Sequence, residues 1–318
     1  MNEALNQLAD DFFKNSLNSS PTSAIMRGYK EYFDQIEELT DTKFDQNLKD
    51  LDNFEKRLNK IDFSSLSNKE KVTYGMLEYA FGSNKDSLLD KSWEFGAGVS
   101  GFTGYLIDYN QQMFIPDLES ADLLLKRLEL YNQFFNQVSE VQKKGLDENR
   151  VATERNLLRT IDQIESYLKT SLESDPLLLV NFSPEVSEED VGSWKDKAKL
   201  IIESYVRPSV NSYLEQLKSD HLPKGRSDTN PGIMWIDGGE DIYLRSLRKF
   251  TGNKDITVKE VHETGLSEIK RLKKEFFDIG KNVFEDVTTP EEVLYKMQTE
   301  PSMRFESKEQ MLQMAEDI

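Results

Sequence analysis

LESADLLLKRLELYNQFFNQVSEVQKKGLDENRVATERNLLRTIDQIESYLKTSL, residues 118–172, reads as two long amphipathic helices. Its apolar residues return every three or four positions, the period of one helix face. The first helix is expected from Leu118 to about Lys144 and the second from about Asp147 to Leu172. Gly145 punctuates them, so an antiparallel pair is expected.

The same pattern continues on both sides. Upstream, Leu5, Leu8, Phe12 and Phe13 recur at helical spacing, as do Phe44, Leu48, Leu51, Phe54 and Leu58. Ser67 and Glu70 form a capping box that opens a helix through Val72, Met76, Tyr79 and Ala80. Downstream, Pro176, Asn181 and Pro184 mark a loop, and Ser187 to Asp190 starts a helix reaching Lys218. Pro208 lies inside that pattern and should kink or divide it. A polar loop with Pro223, Gly225, Pro231 and Gly232 follows. Thr257 with Glu260 caps a helix to about Ile279, and Thr289 with Glu292 caps another with Pro290 at its first position. Ser307 to Gln310 opens a last helix, still amphipathic at Met311, Leu312 and Met314, with no stop signal before Ile318; the expectation is that the chain continues. Strand signals are confined to Leu177–Val180 and Ile233–Ile236. The fold class is therefore all-α: one elongated multi-helix bundle over residues 1–318, with subregions of about 1–173 and 185–318.

Composition narrows the function classes. With 58 acidic against 40 basic residues, the net charge of -18 repels phosphate backbones and anionic membranes, so no nucleic-acid partner is expected. There is no cysteine, which excludes disulfides, thiolate catalysis and cysteine-based zinc sites. No apolar run suits a bilayer span, so no membrane insertion is expected. Residues Met1 to Phe13 carry acids and lack the basic-then-apolar order of a signal peptide. Cytoplasm is the default location, and the periplasm the alternative if the true start lies upstream.

Most catalytic motifs fail on inspection. Gly96, Gly98 and Gly101 match G-x-G-x-x-G, but the preceding stretch Leu88–Phe95 carries charges and no βαβ unit surrounds it. Ser100 misses the G-x-S-x-G elbow because Phe102 occupies the last position. The two histidines are His221 and His262. His262-Glu263 begins an H-E-x-x-H motif, but Leu266 stands where the second ligand is required, and leucine cannot ligate zinc. Neither a metal site nor a catalytic residue is assigned within this chain. An enzyme complete in these residues would need His221, His262 and carboxylates brought together by the fold.

RPSVNSYLEQLKSDHLPKGRSDTNPGIMWIDGGEDIYLRSLRKFTGNKDITVKEVHETGLSEI, residues 207–269, resembles the bacterial DUF885 family. The landmarks are Arg207-Pro208 and Tyr213; Leu222-Pro223, Arg226 and Gly232; Gly238-Gly239, Tyr243, Leu247-Arg248 and Thr251; and Thr257 to His262, Gly265-Leu266 and Ile269. Gly145, Arg150, Val151 and Ile161 suit the family's helical pair. One departure is Ile236-Asp237-Gly238-Gly239 where the family has a proline–asparagine–glycine run. The resemblance implies the N-terminal portion of a larger helical metallopeptidase-like fold, with its H-E-x-x-H helix beyond Ile318. It implies zinc as the cofactor of the full-length protein and a peptide as its substrate. Zinc would polarise the scissile carbonyl and acidify its water, and a glutamate would take the proton. This chain would supply cleft wall: Tyr243 and His262 to orient substrate or an oxyanion, Gly238 and Gly239 to admit a peptide backbone, and Arg248 beside them. The alternative, from another class, is a non-catalytic helical scaffold or binding protein.

Overall fold

The computed structural model describes residues 2–96 and 109–317, and the motif residues Gly98, Ser100, Gly101 and Phe102 fall outside them. Helices carry the fold. Four come first: α1 (Glu3–Ser19), α2 (Pro21–Met26), α3 (Asp41–Leu58) and α4 (Asn68–Leu89). Asn2, Thr40 and Ser67 cap α1, α3 and α4 by accepting a backbone N–H three residues on. Ser67 and Glu70 complete the expected reciprocal box. The apolar faces of α1, α3 and α4 meet in a core of Leu5, Leu8, Phe54, Leu58, Leu77 and Phe81. There Phe12 packs edge-on against Phe54 and Phe81.

A larger core holds α5 (Leu118–Glu129), α6 (Tyr131–Asp147), α7 (Glu154–Lys169), α8 (Glu188–Ile201) and α9 (Arg207–Gln216). Its centre includes Leu124, Leu128, Phe135, Ile164, Ile202 and Val210. Two expectations change here. The first amphipathic run is two helices meeting at Leu130. In addition, α6 and α7 are joined through α9, which packs against both. From α9, Tyr213 donates to Gln142 Oε1 at 3.0 Å and Gln216 Nε2 to the Ser139 carbonyl at 3.1 Å. On its other side Lys218, just beyond α9, pairs with Glu165 at 2.7 Å.

As expected, the regular α-helix is divided at Pro208, which stands in the first turn of α9. The chain widens into a π turn at Ile202–Val206 and runs on as α9, reaching a second π turn at Leu217–His221. Proline removes one N–H and crowds the carbonyl four residues back; a wider turn immediately before it relieves both. The strand expectation also shifts. Ile233–Trp235 is a 3-10 turn, and the one two-stranded pairing among the described residues is β1 (Phe114–Ile115) parallel to β2 (Asn181–Phe182).

Two compact units, residues 1–245 and 246–318, stand where one region with a loop near 173–185 was expected. The loop does not divide the chain because α8 packs back onto α5 across it, with Trp194 Nε1 donating to the Ala121 carbonyl at 2.8 Å. Helix α10 (Gly239–Thr251) carries the boundary. The second unit holds α11 (Val258–Val283), α12 (Pro290–Thr299) and α13 (Lys308–Glu316). The capping boxes of Thr257 and Thr289 form as expected. This unit has almost no core of its own. Gly280 accepts Val293 so closely that a Cβ at Gly280 would stand 2.5 Å from its methyl carbons. Leu266, Ile269, Leu272, Ile279 and Val283 of α11 are each more than half exposed. Among the described residues no helix is long and apolar enough to cross a membrane.

Candidate functional site

The loop from Gly225 to Gly239 carries the landmarks Arg226, Gly232, Gly238 and Gly239, and two arginines fasten it to the turn between α6 and α7. Arg226 donates through Nε to the Val151 carbonyl at 2.7 Å and through Nη1 to the carbonyls of Asn230 and Gly232. Its backbone N–H donates to the Ala152 carbonyl, and its carbonyl accepts from Glu154, an isolated parallel bridge. Gly225 permits this approach, since a Cβ there would lie 3.0 Å from the Glu154 Cα.

Arg150 holds the other end. Its Nη1 donates to the Asp237 carbonyl at 3.0 Å and its Nη2 to the Asp90 carbonyl at 2.5 Å. Its Nε sits 2.7 Å from Glu94 Oε2, both side chains more than nine-tenths buried. That contact is a charge pair rather than an aligned hydrogen bond. The guanidinium also lies over the Phe95 ring. Arg245 pairs with the Asp90 carboxylate, so the middle of α10 is tied to the end of α4. In the sequence Arg150 stands out as a landmark, whereas Asp90 and Glu94 appear only as charges within Leu88–Phe95, with no role assigned. Their signal is tertiary, because Glu94 lies 56 positions from Arg150, and Asp90 lies 60 from Arg150 and 155 from Arg245.

Gly238 and Gly239 are placed by this hub. Gly238 has φ of +72°, the left-handed region, and precedes α10. A Cβ at Gly239 would stand 1.8 Å from the Ile233 carbonyl oxygen, so the 3-10 turn at Ile233–Trp235 and the first turn of α10 meet through the missing side chain. Tyr243 is exposed one turn later on the same helix. Arg248 stands in the last turn of α10, five residues beyond Tyr243, which sets the two on different helix faces. His262 is exposed near the start of α11. The fold thus brings Gly238, Gly239 and Tyr243 to one helix start, while Arg248 and His262 belong to the second unit.

His221 ends the second π turn, 3% exposed, with Nδ1 3.3 Å from the Gln216 carbonyl and Nε2 without a hydrogen-bond partner among the described residues. Among the described residues no three histidines or carboxylates cluster in a way that could hold a metal ion. The donor set present, an enclosed His221 and an exposed His262 followed one turn later by Leu266, does not fit a zinc site, and no step through zinc is derived from it.

Burial lowers the His221 pKa, against smaller opposing effects of the Gln216 and Gln142 carbonyls. A histidine whose folded pKa is depressed adds stability above its unfolded pKa of about 6.5 and loses it as pH falls further. Urea melts between about pH 7 and pH 5 should therefore show a decline that His221→Gln flattens. Parallel declines in both proteins would rule His221 out as the cause.

Residues 21–318 match the family described as "Bacterial protein of unknown function (DUF885)". No curated protein matches the sequence. Among solved structures, the chain is similar to the crystal structure of "the putative lipoprotein from Colwellia psychrerythraea", with a TM-score of 0.78 and 16% identity. The match covers 99% of this chain and 58% of that one, so the chain spans little more than half the length of the protein it resembles. At that identity the likeness shows a shared all-α fold.

Proposed function

This chain belongs to the DUF885 family, and from that premise we infer that it is the helical, substrate-flanking region of a zinc-dependent peptide hydrolase. The zinc ligands and catalytic glutamate would lie on a further part of the protein. One observation carries the reading. Helix α11 spans 26 residues, yet Gly280 is its one buried residue, and a single stripe of Leu266, Ile269, Leu272, Ile279 and Val283 faces outward. A helix with one apolar stripe buries that stripe against another element. Covering these five side chains would gain on the order of several kcal/mol. The 58% span of the similar structure supports the same view. That structure's description as a "putative lipoprotein" supports the periplasm over the cytoplasm as the location.

The test begins with the coding sequence beyond Ile318. A frame continuing into H-E-x-x-H, in a longer protein that purifies with zinc and cleaves peptides, is the expected result. A stop codon there, or a longer protein inert on peptides when zinc-loaded, would overturn the hydrolase reading in favour of a helical binding protein. In the longer protein, the pair Ile269→Asp and Leu272→Asp should lower stability by about 3 kcal/mol or more, since each charge would be buried. In the 318-residue chain the same pair, each side chain about half exposed, should change stability by less than about 1 kcal/mol. Equal effects in both would mean the stripe is uncovered in both.

A further inference from the structure

A cavity of about 450 Å3 opens in the first unit, where α1, α2, α3, α4 and the turn Ser92–Glu94 meet. Its size falls within the range of small-molecule sites. The lining is mixed in chemistry. Leu17, Phe44, Leu51, Leu88 and Trp93 supply its apolar surface, with Leu17 and Leu51 buried. The lining also holds amides and hydroxyls, including Asn47, Asn84 and Ser23, whose side chains have no hydrogen-bond partner among the described residues.

The charge in this cavity runs against the rest of the molecule. The chain carries 58 acidic and 40 basic residues, yet among the described residues Arg27 and Lys91 line the cavity and no carboxylate does. The Arg27 side chain makes no hydrogen bond or ion pair among the described residues. Lys91 is 3.4 Å from Glu94 and so is already partly neutralised. That leaves about one uncompensated positive charge, on a planar guanidinium that matches a carboxylate bidentately. A phosphate dianion would require more.

Lys91 supplies a second, independent observation. It has φ of +46° and ψ of +46°, the left-handed conformation that glycine or asparagine adopts at lower cost after a helix. A non-glycine residue held there at the rim of a cavity is the kind of local strain that marks functional positions.

We propose that this cavity binds a small carboxylic acid with an apolar body and hydrogen-bonding amides, its carboxylate on the Arg27 guanidinium. The apolar body lies on Trp93 and Leu88, and the amides bond Asn47 and Asn84. The site is separate from the Gly238–Tyr243 region and stands whether or not the hydrolase reading does.

The test is calorimetric titration of the full chain with N-acetyl-leucyl-leucine as the free acid, its C-terminal amide, and octyl phosphate. The acid should bind saturably, and the amide about tenfold or more weaker. Arg27→Gln should weaken the acid by a similar factor while leaving the melting temperature unchanged, because Arg27 holds nothing in the fold. Lys91→Gly should also weaken the acid, with a melting temperature equal to or above the parent's, because glycine relieves the left-handed backbone. No saturable heat from the acid, equal binding of acid and amide, or undiminished binding by Arg27→Gln would each overturn the proposal. Tighter binding of octyl phosphate than of the acid would overturn the carboxylate assignment.

Discussion

Gly145→Ala should destabilise the first unit by about 3 kcal/mol or more, seen as a lowered urea midpoint by circular dichroism. Helix propensity alone predicts the opposite sign, because alanine is about 1 kcal/mol better than glycine inside a helix, and Gly145 lies within α6. The packing decides. A Cβ at Gly145 would stand 2.1 Å from the Glu94 carbonyl oxygen, 2.8 Å from its carbonyl carbon and 3.0 Å from the Arg150 carbonyl oxygen. All three are backbone atoms, so no side chain can swing aside. Gly75→Ala is the control: Gly75 lies within α4, with nothing within 4 Å of its missing Cβ. It should raise stability by about 0.5–1 kcal/mol. If both substitutions stabilise, the close approach of Glu94 to α6 is not present in solution.

Arg150→Met should cost about 3–5 kcal/mol by the same measurement. The loss comes from what stays behind. Glu94, 7% exposed on its side chain, would keep only the more exposed Lys91 at 3.4 Å as a charge partner. The carbonyls of Asp237 and Asp90 would lose their donors. A buried charge or acceptor without its partner forfeits its hydration. Arg150→Lys should recover only part of the stability, since one ammonium cannot reach both carbonyls and Glu94 in the fork geometry of a guanidinium. Adding Glu94→Gln to Arg150→Met should return about 1–2 kcal/mol by removing the stranded charge. A double variant no more stable than Arg150→Met would show that Glu94 is not the stranded group. Because Asp237 adjoins Gly238, Arg150→Met also tests whether the hub is what sets the start of α10.

Amphipathic period and capping chemistry are local properties, so sequence alone determined the all-α class. The boxes at Ser67, Thr257 and Thr289 form as read, since each needs only residues three apart on one chain segment. The family was legible from its landmarks, and for one of them, Gly239, the structure gives a steric reason, since a Cβ there would meet the Ile233 carbonyl. What sequence misread was partnership. Gly145 looked like a stop signal and is instead a contact point for a carbonyl 51 positions away in the chain. Pro208 was read as a break, and the break takes the form of a π turn at Ile202–Val206 between two helices that share one core. The charge pairs of Arg150 and Arg245, the division after Arg245 and the carboxylate-free cavity beside Arg27 left no trace in spacing. Each depends on which helix faces meet, and burial over long sequence separations, not periodicity, decides that.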